Sequence, residues 1–199
     1  MFFLSCEYAV AEVKVNNHPP DPSSTVFFNA GMDGIYLGYY AKTDDHTIYV
    51  KRVDTDLVKE TAIPSDMRGT FLDISFLKDG MALTWRPKKS DGKKYIYVQR
   101  SEDKGNTFKE PLTINSTTDA LVPITTASDG RERLYVAWLD ERKGKHGLYM
   151  NYSEDGGKSF LKEDIPLTSD IAAATLHALL LKDKRVDLFF IGTGHEPKK

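Results

Sequence analysis

The chain has 199 residues, with 27 Lys and Arg against 29 Asp and Glu, 40% apolar and 11% aromatic side chains. This is the composition of a folded globular chain rather than a disordered tail, a collagen or a membrane bundle, and a net charge of -2 argues against nucleic acid as a partner. A single cysteine, Cys6, excludes an internal disulfide framework and a Cys-based zinc cluster; the five scattered His lack metal-ligand spacing, so neither a metal nor a cofactor is expected.

Residues 1–24 read as an N-terminal segment separate from the rest. Met1-Phe2-Phe3-Leu4-Ser5-Cys6 is too short for a signal peptide. Phe3-Leu4-Ser5-Cys6 nevertheless resembles the end of a bacterial lipoprotein signal, which would make Cys6 a lipid anchor; the other reading is a free thiol after a start Met. Residues 8–15, where Val10, Val13 and Val15 alternate with polar residues, are expected to form a lone strand. Residues 16–24 carry three prolines and are expected to be a linker. No apolar run reaches the length of a transmembrane helix.

From residue 25 onward an internal repeat sets the organisation. Ser101-Glu102-Asp103-Lys104-Gly105-Asn106-Thr107-Phe108 recurs 52 residues later as Ser153-Glu154-Asp155-Gly156-Gly157-Lys158-Ser159-Phe160. An alternating aromatic strand precedes each copy, and the strands ending in Trp85 and Trp138 match upstream, 53 residues apart. Further upstream, short strands run into the Asp79-Gly80 and Asp129-Gly130 turns. One repeat is therefore strand, Asp-Gly turn, Trp strand, loop, strand, Asp-containing box, strand. A degenerate copy comes first, with Val53 and Thr55 in place of the box Ser and Asp; a partial copy follows, containing Leu188-Phe189-Phe190-Ile191.

One segment pulls two ways. Residues 171–182 are good helix formers with Ser169 or Asp170 as N-cap, yet Asp183 lies 54 residues after Asp129, which is the register of another first strand. The register is the stronger constraint, so residues 174–181 are expected to be a strand.

Ser-X-Asp-X-Gly-X-(Thr/Ser)-Phe recurring at this period resembles the Asp box, or bacterial neuraminidase repeat, of sialidases and sialidase-like β-propellers. The resemblance covers most of residues 25–192, and Trp138-Leu139-Asp140-Glu141-Arg142-Lys143-Gly144 looks most like the non-enzymatic branch of bacterial surface and secreted proteins. It implies an all-β fold: a partial β-propeller of sialidase type with about three and a half four-stranded antiparallel blades, filling residues 25–199. Ser101, Asp103, Gly105, Phe108, Ser153, Asp155, Gly157 and Phe160 are then structural box residues. The Asp accepts N–H groups left unpaired by the tight turn, the Gly takes positive φ, and the Phe re-enters the sheet to pack between blades.

Successive turns of a meander alternate between the two ends of the sheet. With the boxes and Asp-Gly turns at one end, the loops after Trp85 and Trp138 share the other end with the connections between blades, where sialidase-like propellers place their ligand. This geometry selects Arg68, Arg86, Asp119, Asp140, Arg142, Asp170 and His177 as ligand-binding candidates. Arginine suits a carboxylate, so Arg86 and Arg142 could hold an acidic sugar; equally, Asp140 and Arg142 could simply pair with each other. An active sialidase's Arg-Ile-Pro opening has as its nearest match Met67-Arg68-Gly69-Thr70, and no catalytic residue is assigned.

The role these features imply is an extracytoplasmic bacterial module, secreted, periplasmic or at the cell surface, that binds a carbohydrate or a cell-surface protein without catalysis. Two alternatives stay open: a sialidase-type glycoside hydrolase whose catalytic set lies in a longer parent protein, and a structural half-propeller that pairs as a homodimer. A full ring of about six blades needs roughly 300 residues, so the expectation is either a missing remainder of the propeller or a second copy.

Overall fold

The computed structural model describes residues 27–31, 34–40, 48–53, 58–63, 69–87, 92–169, 171–180 and 185–194. The expected strand at residues 8–15, the linker and Cys6 lie outside them. Among the described residues the fold is all-β, without a helix, and every sheet is antiparallel. The first sheet holds β1 (Phe27–Gly31), β2 (Gly34–Tyr40), β3 (Ile48–Val53) and β4 (Val58–Ile63). The second holds β5 (Gly69–Leu77), β6 (Gly80–Pro87), β7 (Tyr97–Ser101) and β8 (Leu112–Thr113). The third holds β9 (Ala120–Ser128), β10 (Leu134–Arg142), β11 (Lys145–Ser153) and β12 (Ile165–Pro166). The hairpin of β13 (Ile171–Leu180) and β14 (Val186–Gly194) follows.

Each sheet is a meander in chain order, as short connections between antiparallel strands require. Alternation gives each strand two faces, and the sheets pack face to face in sequence. Tyr36, Ile48 and Val50 of the first sheet meet Ile74, Met81, Leu83 and Trp85 of the second. From the opposite face of the second sheet, Ala82 and Val98 meet Ile124, Leu134, Val136 and Trp138 of the third. Ala137, Leu139 and Leu148 on the far side of the third meet Leu176 of β13 and Leu188 of β14. The first strands β1, β5, β9 and β13 touch one another in that same order.

Residues 171–180 are strand, as the repeat register required and against their helical propensity. Leu176 lies opposite Phe190 just as Ile124 lies opposite Trp138, an offset of 52 on both strands. In β9, Val122 and Pro123 have no partner on β10, because the register steps from Ile124 with Trp138 to Leu121 with Leu139. Proline lacks the N–H that a ladder needs, so the pairing bulges around it.

Candidate functional site

The two boxes fold alike. Asp103 Oδ1 accepts from Thr107 N (2.8 Å) and from Ser101 Oγ (2.8 Å), while its Oδ2 accepts from Thr107 Oγ1 (2.7 Å). Asp155 Oδ1 accepts from Ser159 N (2.9 Å) and Ser153 Oγ (2.7 Å), and Oδ2 accepts from Ser159 Oγ (2.6 Å). The Ser oxygen in turn accepts the glycine N–H four residues on, Gly105 (2.7 Å) and Gly157 (2.8 Å). Hydrogen bonds led by those from Thr107 hold the Asp103 carboxyl down to about 2. At Asp155 burial pushes the other way, but the Ser159 and Ser153 hydroxyls and the Ser159 and Lys158 N–H groups outweigh it, and the group also sits at about 2.

Gly105 and Gly157 sit at φ +81° and +78°, each pressed on its neighbour: Gly105 against Met81 and Val50, Gly157 against Arg100 and Leu134. Phe108 packs between the first and second sheets and Phe160 between the second and third, so the two rings have equivalent surroundings. The box end also joins the second and third sheets directly: Lys78 N donates to Arg131 O (2.8 Å), and Arg100 Nε donates to Gly156 O (2.6 Å).

At the opposite end of the third sheet a polar network is built around Arg142. Its Nη2 reaches Asp140 Oδ2 (2.9 Å) and Asp164 Oδ2 (2.5 Å), and its guanidinium carbon lies 3.6 Å over the centre of the Tyr149 ring. Both carboxylates are 0% exposed, whereas the arginine side chain is 21% exposed. Trp138 Nε1 (3.0 Å) and Thr117 Oγ1 (3.1 Å) also donate to Asp140 Oδ2. Asp164 accepts from Ser116 N (3.0 Å), Ser116 Oγ (2.7 Å) and Asn151 Nδ2 (3.2 Å). Partial burial pulls the guanidinium pKa down, but the hydrogen bonds and charges of the two aspartates outweigh it and the net direction is up. Asp140 Oδ1 and Arg142 Nε are buried without a hydrogen-bond partner.

A second cluster bridges the first strands of the second and third sheets. Thr126 Oγ1 donates to Asp73 Oδ2, Ile74 N donates to Asp73 Oδ1 (2.8 Å), and Ser75 Oγ lies 3.2 Å from Thr126 Oγ1. Thr84, directly opposite Asp73 on β6, has a buried hydroxyl without a partner. Burial raises the Asp73 carboxyl to about 6, more than its hydrogen bonds lower it.

The seven candidates therefore separate. Asp140 and Arg142 come together as an ion pair, with Asp140 out of solvent's reach. Arg86 is buried at the end of β6, where its Nε donates to Ala120 O (3.1 Å), and desolvation lowers its pKa. Asp119 lies beside them at the same end, bridging to Lys94 and accepting Glu141 N at its carbonyl (3.4 Å). His177 is on β13 opposite Phe189, in the hairpin that packs on the third sheet. Arg68 and Asp170 lie outside the described residues.

Sequence reasoning missed Asp164, Asn151, Tyr149, Asp73 and Thr126. Asp73 pairs with Thr84 and Thr126 with Val136, so the two hold different places in their repeats and meet from facing sides of neighbouring sheets. No spacing in the sequence marks that pair.

The chain matches no protein-family model, and none of the curated proteins matches it. Among solved structures it is similar to the catalytic domain of the Coprinopsis cinerea GH62 α-L-arabinofuranosidase, with a TM-score of 0.45 and 10% identity over 82% of this chain. The chain spans 62% of that domain's length.

Proposed function

We propose that the chain is a sialidase-type β-propeller of about three and a half blades which acts outside a bacterial cell as a non-catalytic glycan-binding module. Support for the propeller is the succession of meanders whose first strands meet in chain order while each sheet packs its face on the next. The binding reading rests on one observation: Arg142 is fixed over Tyr149 by two buried carboxylates, a preorganised partly exposed platform beside the Trp strand. A partly exposed guanidinium held flat on an aromatic ring is a planar donor of fixed orientation for a sugar's oxygens. Asp140 and Asp164 share one arginine and are inaccessible, so neither can flank a glycosidic bond.

The experiment is a glycan array followed by calorimetry on the best ligand. Tyr149→Leu should weaken capture at least tenfold while leaving the fold intact. Unchanged affinity, or no glycan retained by the parent chain, overturns the reading. Attachment through Cys6 is tested by detergent partitioning of the full chain expressed with a lipoprotein signal, and Cys6→Ala should move it to the aqueous phase.

One observation favours a glycoside hydrolase as a second reading. A carboxyl at about 6 on a first strand is suited to proton transfer near neutral pH, and Asp73 is such a group. Turnover of aryl glycosides that is abolished by Asp73→Asn would establish it; no turnover with any aryl glycoside sets it aside.

A further inference from the structure

We propose that the ligand held at Arg142 is a neutral sugar, engaged through its hydroxyl or ring oxygens, and that acidic sugars bind there more weakly. The inference rests on the glycan-binding reading and narrows its ligand class, against the acidic sugar that two arginines on one rim suggest.

A carboxylate grips a guanidinium with two parallel hydrogen bonds along one of its edges, either Nη1 with Nη2 or Nε with Nη2. Both edges contain Nη2. At Arg142 that nitrogen has two N–H groups, and Asp140 Oδ2 (2.9 Å) and Asp164 Oδ2 (2.5 Å) take one each. Nε is buried without a hydrogen-bond partner, so a ligand oxygen does not reach it from solvent. Neither edge is left for a carboxylate. Nη1 is not shut off in this way, and it bonds to none of the described residues. Its two N–H groups diverge, which suits two separate oxygens of a polyol rather than the parallel pair of an acid.

Charge points the same way. Two carboxylates, both 0% exposed, face one guanidinium, so its charge is already more than matched. Arg86, the other arginine at this end, is itself buried, with Nε on Ala120 O. Lys143 and Lys145 at the hairpin tip are exposed and attract an anion only through a field that salt screens. The platform is also fixed before a ligand arrives. Arg142 pairs with Lys145 across the turn of Lys143 and Gly144, whose φ values of +55° and +71° are those of a tight hairpin. Tyr149 backs the guanidinium at 3.6 Å, and the 21% of the arginine side chain that stays exposed is what a sugar can touch.

The test is an array that carries each backbone in neutral and acidic form, followed by calorimetry. Lactose is set against sialyllactose, galacto-oligosaccharide against oligogalacturonate, and xylo-oligosaccharide against its glucuronic-acid-substituted form. The neutral member should bind at least about tenfold more tightly, and its affinity should change less than about twofold between low and high salt. Arg142→Lys keeps a cation between the carboxylates but spends its ammonium there, so it should weaken neutral-sugar binding at least about tenfold. If Arg142→Lys fails to fold, the neutral-to-acidic ratio and the salt dependence of the parent chain decide. An acidic member bound as tightly as its neutral twin, or affinity that collapses with salt, overturns the inference and leaves the glycan-binding reading standing. A neutral ligand indifferent to Arg142→Lys overturns it too, since the ligand then sits elsewhere. Retention of neither class overturns the glycan-binding reading itself, and the inference falls with it.

Discussion

Three aspartates titrate in opposite directions in this fold. Asp103 and Asp155 are held at about 2, so their contribution is complete above the unfolded value of 3.8 and disappears as pH falls through 2. Asp73 is raised to about 6, so its folded form favours the proton: it is no burden below 3.8 and destabilises progressively as pH rises through 6. Two pKa units correspond to roughly 3 kcal/mol. Asp73→Asn should therefore stabilise the chain by about 1 to 2 kcal/mol at pH 8, after allowance for the changed bond to Thr126, and the gain should vanish at pH 4. Urea unfolding at the two pH values checks this; a gain that persists at pH 4 would mean the benefit is not electrostatic. Asp155→Ala removes the acceptor for two backbone N–H groups and two hydroxyls, and should lower stability by about 1 to 2 kcal/mol in the same assay at pH 7.

Elements place these residues, and here the sequence was most legible. The 52-residue recurrence of the box, the Asp-Gly turns and the two Trp strands mark β5 to β11 in the sequence itself, because each is a backbone requirement written into residue type. Gly80 shows the requirement at its sharpest. It opens β6 at φ +149°, and a Cβ there would fall 2.0 Å from Ser101 O, the residue that starts the box. Gly80→Ala should thus cost at least about 2 kcal/mol, well beyond a simple entropy effect, and calorimetry should show the loss. The residues 171–180 were legible only through register, since their composition argues for a helix. The polar network could not be read, because Arg142, Asp164 and Ser116 converge from three separate segments. Nothing in a single chain's spacing marks Asp164 as Arg142's second partner. Residue type also misleads at Arg86, whose guanidinium serves a backbone carbonyl of the next sheet.

At the scale of the whole molecule, stability is passed from sheet to sheet. The second sheet is covered on both faces, by the first and by the third, whereas the hairpin of β13 and β14 is packed on one face and ends in exposed Phe189 and Ile191. Backbone amides of β6 and β10 should exchange at rates near the global unfolding limit, and those of β14 should exchange faster by several orders of magnitude at low protein concentration. Uniform protection across all four sheets would show that the stack unfolds as one unit.

The two faces at the extremes of the stack are unlike. On the first sheet, Tyr39 and Tyr49 turn away from the second, stack on each other and are 1% and 7% exposed, although Ile35 on that face is 38% exposed. On the hairpin, Phe189 and Ile191 stand open at 55% and 70%. That asymmetry puts the larger uncovered apolar surface at the hairpin, the place where solubility is lost first.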